Sequence, residues 1–273
     1  MKDDFNSTDN SSQSQYEDNG NLNTGQTKIS KPIQPDQPVA IGISAAKPVV
    51  AYVILGITVL IYILQYWTQY QYNLDIPFVI GGKVNELIIQ GQFWRLITPI
   101  LLHGGILHLG FNMYALYVIG TGLELYYGHG RFLILYLLAG FAGNVMSFLF
   151  TPENSLGSST AIFGLLGAQG MFMYQNRGIF GRRAQSVLFN LILIAGINLV
   201  IGLSPGIDNW GHIGGLIAGS LFAMNAGPLL KIVGEYPNLI LIDSRTNKEI
   251  VRAAISVFLL FGLLAAVTIY LRL

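Results

Sequence analysis

The sequence predicts an all-α membrane protein whose chain crosses the bilayer seven times. Of the 273 residues, 52% are hydrophobic and only 11% are charged, whereas soluble domains use about 25% charged residues to cover their surface. Seven long stretches lack Asp, Glu, Lys and Arg, and each can supply the ~20 mainly apolar residues that a membrane-spanning helix needs. Because backbone polar groups in lipid must be bonded within the protein, uninterrupted runs of this length indicate helices.

The predicted spans divide the chain into four parts. They cover residues 49–68, 104–123, 132–150, 157–175, 186–203, 209–226 and 253–271. Residues 48–226 are predicted to form a six-helix core, 227–252 a cytoplasmic loop and 253–273 a seventh transmembrane helix. Residues 1–47 are rich in Asn, Ser and Gln, and are predicted to be a disordered cytoplasmic tail. The tail is too long and too acidic at its start for a cleaved signal peptide, so the first span is expected to act as an uncleaved anchor.

The orientation in the membrane follows from the positions of lysine and arginine. With the N-terminus in the cytoplasm, only Lys83, Arg95 and Arg272 fall outside, and the other basic residues fall inside. The positive-inside rule therefore predicts a multi-pass protein of the cell membrane with a cytoplasmic N-terminus and an outside C-terminus. The outer loop from Tyr70 to His103 is long and partly apolar, so we expect amphipathic structure at the outer interface.

The second predicted span carries a group of polar side chains. Ionisable residues within membrane helices are costly and usually functional. His108 and Asn112 are four residues apart and share a helical face, although a polar contact between packed helices explains this pair equally well. His103 lies five residues before His108 and points about 140° away on an ideal helix. This geometry and the missing acidic partner argue against a His-Glu-x-x-His zinc site, and the chain has no cysteine for a thiolate site.

The fourth and sixth spans both begin with polar residues among glycines. The fourth opens Gly157-Ser-Ser159-Thr, which is not a Gly-x-Ser-x-Gly elbow because Ala161 takes its last position and no strand precedes it. Serine is common in membrane helices, so a structural role stays open beside that of a nucleophile at a helix N-terminus. In the sixth span, His212 shares a face with Gly215, where a neighbouring helix can approach closely. A lone buried histidine is more often structural, so this pattern alone leaves both roles open.

Topology brings these polar residues to the same depth. The second, fourth and sixth spans all run from outside to inside, and His108, Ser159 and His212 each lie in the outer part of their own span. Packing residues placed at random would rarely converge in this way. The convergence favours one catalytic site over three unrelated packing contacts.

Five motifs along the chain form a single pattern. They are Trp94-Arg95, His103-x4-His108-x3-Asn112, Gly120-x3-Glu124-x3-Gly128, Gly157-Ser-Ser159-Thr and Gly211-His212-x2-Gly215. In this order, and over about residues 50 to 226, the chain resembles the rhomboid family of intramembrane serine proteases. A seventh helix after the six-helix core looks like the six-plus-one form of that family. Thr160 is a departure, because the family pattern Gly-x-Ser-Gly ends in glycine, and a stiffer β-branched residue is expected to alter the oxyanion geometry and the rate.

The resemblance implies peptide hydrolysis by a serine–histidine dyad. Ser159 would attack the scissile carbonyl carbon, and His212 would take its proton and return it to the leaving amine. Ser158 is a weaker candidate for the nucleophile because only Ser159 aligns with the family serine. Phe163 matches the family's aromatic residue that stacks on the catalytic histidine.

The resemblance also implies the surroundings of the dyad. The Ser159 N–H and the side chains of His108 and Asn112 would form the oxyanion hole, and His103 would hold water or add a donor. Gly215 would let the sixth helix come close to the fourth. No metal or cofactor is implied. The partners would be transmembrane protein substrates, cleaved in or near their membrane segments, and the lipid bilayer itself.

Two other classes of protein fit the sequence less well. A catalytically silent relative that binds membrane proteins would normally lack the serine or the histidine, and both are present. A transporter with a histidine proton relay would more usually carry carboxylates deep in its spans, where this chain has none. The formal net charge of +1 gives no indication of a nucleic-acid partner, and the sequence does not set the oligomeric state.

Overall fold

A helix lies at each of the seven predicted spans in the computed structural model, which describes residues 42–43, 47–235 and 238–273. The helices are α1 (Val49–Tyr72), α2 (Ile106–Tyr127), α3 (His129–Phe150), α4 (Ser159–Gln175), α5 (Arg182–Ile201), α6 (Asn209–Ala226) and α7 (Asn247–Arg272). This confirms the all-α membrane architecture. The expected disordered tail, residues 1–47, lies outside the described residues apart from Gly42–Ile43 and Lys47.

Membrane-crossing length and composition are met by five helices among the described residues: α1, α2, α3, α5 and α7. The other two are the helices that carry the candidate dyad. Helix α4 has only 17 residues, and the 18-residue helix α6 contains asparagines, a histidine and several glycines that lower its hydropathy. Both lie in the middle of the bundle, where α6 packs against α4 and α3, so they need less apolar surface than the peripheral helices.

The contact between α4 and α6 depends on small residues. A Cβ atom at Gly219 would overlap the carbonyl group of Gly164, and one at Gly215 would overlap the carbonyl oxygen of Thr160. Glycine at these positions lets the two backbones approach until they touch, which is the usual solution in membrane helix packing. Both helices start on the predicted outer side, so the close approach brings their N-terminal ends together there.

The predicted outer loop is folded. It contains the short helices Ile76–Gly81 and Asn85–Ile89 and two 3₁₀ turns, Phe93–Leu96 and Thr98–Leu101. Arg95 is buried within it and donates to the carbonyl oxygens of Gly82 (2.7 Å) and Val79 (2.6 Å). Trp94 donates its indole N–H to the carbonyl oxygen of Ile80 at 3.0 Å. Trp94 and Arg95 therefore stabilise the loop by bonding its second half to the backbone of its first half.

Helix α1 begins without a capping side chain of its own. The carboxylate of Glu124, which is fully buried in α2, accepts hydrogen bonds from the backbone N–H groups of Val50 (2.8 Å) and Ala51 (2.7 Å). A carboxylate suits the positive end of a helix dipole and the free N–H groups there. His129 bonds to the same carboxylate. Glu124 thus joins α1 to α2 at the predicted inner side.

The segment predicted to be a cytoplasmic loop, residues 227–252, contains regular structure. Strands β2 (Leu230–Val233) and β3 (Ile240–Asp243) form an antiparallel hairpin, and β1 (Gly42–Ile43) pairs in parallel with β3. Arg131 of α3 binds Asp243 at 2.8 Å and so fastens the hairpin to the bundle.

The seventh helix extends beyond its predicted span, which started at residue 253. Helix α7 begins at Asn247, because Thr246 and Glu249 form a capping box that starts the helix before its apolar run. At the other end, Arg272 donates to the carbonyl oxygens of Phe148 and Leu149, both at 2.9 Å. Helix α7 is therefore bound to the final turn of α3 by a cation on free carbonyl groups.

Other helix ends differ from the predicted spans because charged residues do not mark them. Helix α1 continues to Tyr72, α3 already starts at His129 and α5 at Arg182. Helix α2 runs from Ile106 to Tyr127 and contains a π-helical turn at Leu116–Gly120.

Candidate active site

Ser159 is the first residue of α4, and the turn before it requires glycine. Gly157 has a φ of +135°, which a residue with a side chain rarely adopts. A Cβ atom there would also lie 2.9 Å from two ring atoms of His108. The Gly157 N–H donates to the carbonyl oxygen of Pro99 at 2.9 Å, which fixes the turn to the outer loop. Ser159 is half-buried, so its hydroxyl group remains accessible.

The hydroxyl group of Ser159 meets the imidazole of His212. The distance from Ser159 Oγ to His212 Nε2 is 2.9 Å, although the two residues are 53 positions apart in the chain. His212 is buried, and its ring stacks on Phe163 with the centroids 4.2 Å apart and the planes 5° apart. A serine bonded to an imidazole nitrogen is the arrangement in which histidine can act as a general base.

His108 lies against the turn that carries the serine. Its Nδ1 accepts a long hydrogen bond, 3.5 Å, from the N–H of Gly104. A neutral imidazole that accepts at Nδ1 carries its proton on Nε2. His108 Nε2 would lie 2.9 Å from a Cβ atom at Gly157, so this edge of the ring faces the serine turn.

Asn112 is buried one turn after His108 on the same helix. Its amide nitrogen donates to the carbonyl oxygen of His108 at 3.0 Å. An amide nitrogen has two hydrogens, and this bond uses one of them. The pair predicted to share a face therefore does so, with Asn112 fixed by a bond to its own helix.

His103 contacts Ser158 and not Ser159. Its Nε2 lies 3.2 Å from Ser158 Oγ, and its backbone N–H donates to the side chain of Gln65 at 2.9 Å. Its ring also packs edge to face on His108, with the centroids 5.1 Å apart. Ser158 is fully buried, whereas Ser159 is half-buried. The structure therefore places His103 behind the serine turn, beside His108.

Thr160, the departure from the family pattern, fills a space between two helices. A Cβ atom at Gly143 of α3 would lie 2.6 Å from Thr160 Cβ, and one at Gly211 of α6 would lie 2.9 Å from Thr160 Cγ2. The threonine side chain thus occupies room that two glycines leave open. Gly215 of α6 faces the backbone of Thr160, so α6 contacts both the side chain and the backbone of this residue.

Three polar residues linked to the start of α6 were not singled out by the sequence analysis. Asp208 caps α6 by accepting the Gly211 N–H at 3.0 Å, Thr151 contacts Asp208, and Lys83 of the outer loop contacts Thr151. An aspartate just before a predicted helix is a recognisable capping signal and could have been found. The contacts of Lys83 and Thr151 join distant parts of the chain and have no such signal.

Comparison with known proteins agrees with this geometry. The Rhomboid domain family matches residues 90–228, just over half of the chain. The chain is 44% identical to "Rhomboid protease GluP" of Bacillus subtilis (strain 168) over 182 residues, which is 66% of this chain and 35% of that protein. It is also similar to two Arabidopsis thaliana proteins, "RHOMBOID-like protein 9, chloroplastic" and "RHOMBOID-like protein 4". The first is 35% identical over 58% of this chain and 37% of its own length, and the second is 40% identical over 55% and 38%.

The matched segments therefore span little more than a third of these relatives. Within this chain, however, the family match runs from the end of the outer loop to the end of α6 and includes His108, Ser159 and His212. Because the match covers the helices that form the site and half of the whole sequence, the chain belongs to the rhomboid family.

Proposed function

We propose that this protein is an intramembrane serine endopeptidase that cleaves membrane-anchored proteins in or near their transmembrane segments. The observation that carries the proposal is the 2.9 Å contact between Ser159 Oγ and His212 Nε2, with His212 stacked on Phe163. The name of the bacterial relative, a rhomboid protease, supports the same activity. The apolar helices around the site support a substrate that reaches it from the bilayer.

The proposed reaction starts with attack by Ser159. Its oxygen bonds to the scissile carbonyl carbon while its proton passes to His212 Nε2. Collapse of the tetrahedral intermediate breaks the carbon–nitrogen bond, and the proton on His212 goes to the leaving amine. Water then repeats the sequence on the acyl-enzyme, with His212 again as base, and releases the carboxylic acid product and free Ser159.

The proposed oxyanion hole has three donors. The backbone N–H of Ser159 is free because it lies in the first turn of α4, where N–H groups have no partner within the helix. The Nε2–H of His108 and the remaining amide hydrogen of Asn112 are the other two. His103 serves as the support of His108 and Ser158 in this arrangement.

The decisive experiment measures reaction of Ser159 with a fluorophosphonate probe, together with cleavage of a transmembrane substrate by the purified full chain. Wild type should be labelled and active, and Ser159→Ala and His212→Ala should lose both properties while still inserting into the membrane. Ser158→Ala is the matched control, because it removes the neighbouring hydroxyl group, and it should keep substantial activity. Turnover by purified Ser159→Ala or His212→Ala would refute the dyad.

The proposed orientation places the dyad on the outer side of the cell membrane. It rests on the distribution of lysine and arginine, and it can be tested directly because the chain has no native cysteine. Single cysteines at residues 204–208 should react with an impermeant thiol reagent in intact cells, and ones at residues 176–185 should be protected. The opposite labelling pattern would reverse the orientation.

A further inference from the structure

The outer loop contains a lysine with no exposed surface. Lys83 is completely buried, and its ammonium group donates to the carbonyl oxygens of Thr151 (2.6 Å) and Glu153 (2.8 Å). Its backbone pairs with Ser155 in both directions, with N–O distances of 3.0 and 3.1 Å. Lysine is almost never fully buried unless it is paired, so this position is an unusual one for the residue.

The surroundings of Lys83 explain how the charge is tolerated. Thr151 is the residue that ends α3, and the carbonyl groups at the C-terminal end of a helix attract a cation. Burial is the largest effect and lowers the pKa of Lys83 to about 8. The carboxylates of Asp208 and Glu153 favour the charged ammonium group and raise the pKa, whereas Arg272 lowers it.

Thr151 links Lys83 to α6, the helix that carries His212. Its hydroxyl group donates to Asp208 Oδ1 at 3.0 Å, and the same oxygen accepts the N–H of Gly211 at 3.0 Å. The next residue is His212, whose own N–H donates to the carbonyl oxygen of Asp208 at 3.2 Å. Asp208 therefore sets where α6 begins and is itself held by Thr151.

The same segment also leads to the nucleophile. Residues 151–155 receive the side chain and the backbone of Lys83, and Ser159 follows four residues after Ser155. One loop thus fixes the approach to the serine on one side and the start of the histidine helix on the other.

We propose that Lys83, Thr151 and Asp208 are positioning residues that together hold His212 at hydrogen-bonding distance from Ser159: Lys83 holds the Thr151 segment, Thr151 holds Asp208, and Asp208 sets the start of α6. The inference rests on the proposed function and adds the residues that set the geometry of its dyad. None of these positioning residues touches the reacting atoms, which belong to Ser159, His212 and the substrate. We call the linked side chains of Lys83, Thr151 and Asp208 the brace. Because a displacement of even 1 Å can lower the rate of a positioned reaction by about 10²-fold, the brace affects the rate more than the substrate affinity.

The test compares substitutions that differ only in the bonds of the brace. Thr151→Val removes the hydroxyl group but keeps the shape, whereas Thr151→Ser keeps the hydroxyl group. Asp208→Ala removes the cap, whereas Asp208→Asn keeps an oxygen that accepts from Gly211 and Thr151. Each is measured in the full-length protein for kcat, KM, the rate of Ser159 labelling by a fluorophosphonate, and Tm.

We expect Thr151→Val and Asp208→Ala to lower kcat and the labelling rate by about tenfold or more, with KM within about twofold of wild type. Thr151→Ser and Asp208→Asn should recover most of the rate. Lys83→Met should also reduce kcat, because it frees the Thr151 segment. Thr246→Ala is the matched control: it removes the same kind of cap from α7, so it should lower Tm and leave kcat unchanged.

The possible failures are distinguishable. If Thr151→Val and Asp208→Ala lower Tm but keep the wild-type kcat and labelling rate, these residues only stabilise the fold and the positioning proposal is wrong. If Asp208→Ala fails to fold, Thr151→Val decides, because it leaves the helix cap in place. Wild-type protein that is labelled no faster than Ser159→Ala would instead refute the proposed function, and the positioning role with it.

Discussion

The imidazole of His212 lies parallel to the ring of Phe163, with the centroids 4.2 Å apart and the planes inclined by 5°. Within the part of the chain that the structure describes, Nδ1 of His212 has no hydrogen-bond partner. The ring is therefore oriented by stacking on one face and by Ser159 at Nε2, and none of the described carboxylates bonds to Nδ1 as the acidic member of a triad would.

Loss of the stacked ring should reduce the rate. Phe163→Leu keeps an apolar side chain but removes the aromatic face, and stacked pairs contribute about 0.5–1.5 kcal/mol beyond burial. We expect kcat to fall about two- to tenfold in Phe163→Leu, while Phe163→Tyr, which keeps the ring, should remain near wild type. Steady-state cleavage of a transmembrane substrate measures both. Equal kcat values for Phe163→Leu and wild type would show that stacking does not orient the base.

Removal of either side-chain donor should slow turnover and leave the affinity for substrate largely unchanged. Loss of one oxyanion donor costs about 2.7–4 kcal/mol in a soluble serine protease, or about 10²–10³ in kcat. His108→Ala and Asn112→Ala should each approach this loss, with residual activity from the Ser159 N–H. Unchanged rates in both variants would mean that these residues serve helix packing alone.

Replacement of Thr160 by the family's usual glycine should destabilise this protein. The threonine side chain fills the space beside Gly143 and Gly211, and a glycine there leaves a cavity and adds backbone freedom to α4. We expect Thr160→Gly to lower the free energy of unfolding by about 1–3 kcal/mol. Unfolding by denaturant in detergent measures the change, and a stabilised variant would contradict the packing described above.

Thr160 and Gly211 should be energetically coupled. Gly211→Ala brings a methyl group to 2.9 Å from Thr160 Cγ2, and such overpacking costs about 1–3 kcal/mol. Thr160→Ser removes the threonine methyl group, Cγ2. Gly211→Ala should therefore cost less in the Thr160→Ser background, with a coupling of at least about 0.5 kcal/mol. Rescue should be partial, because Asp208 also borders the new methyl group at 3.1 Å. Strictly additive effects would exclude contact between the two side chains.

Lys83 should make stability depend on alkaline pH. Its pKa in the folded protein, about 8, is below the ordinary 10.5, so between these values the unfolded chain binds more protons than the folded one. The cost of the buried charge is complete below pH 8 and is relieved as the pH rises to 10.5. The free energy of unfolding of wild type relative to Lys83→Met should therefore rise over this window, by up to about 3 kcal/mol. Parallel pH profiles of the two proteins would show that the ammonium group is not destabilised by burial.

The helices could be predicted because their cause is local, whereas the meeting of Ser159 with His212, 53 positions apart, was implied by the family resemblance and by the shared depth of their spans. Apolar length marks a membrane helix, and the alternating direction of the spans places both residues at the same depth. The seventh span was predicted from residue 253 because the apolar run starts after Arg252, whereas α7 begins at Asn247, where Thr246 and Glu249 form a capping box. A helix cap works through hydrogen bonds and is independent of hydropathy.

The contacts of Lys83 could not be predicted for a different reason. A lysine in a polar loop is normally exposed, and nothing near it in sequence indicates burial. Its partners Thr151 and Glu153 lie 68 and 70 positions away, and their positions depend on how α3 ends. The sheet built on the hairpin of β2 and β3 could not be predicted for the same reason, because its third strand, Gly42–Ile43, comes from before the first helix.

The packing of Thr160 also bears on how such proteins diverge. Gly143, Thr160 and Gly211 belong to three different helices, yet the space for one side chain is shared among them. A lineage that gains threonine beside the serine can keep this interhelical spacing only while the two facing positions stay without side chains. A change at any one of the three alters which residues natural selection can accept at the other two. Inheritance of the serine motif is thus tied to positions that no linear pattern around Ser159 contains.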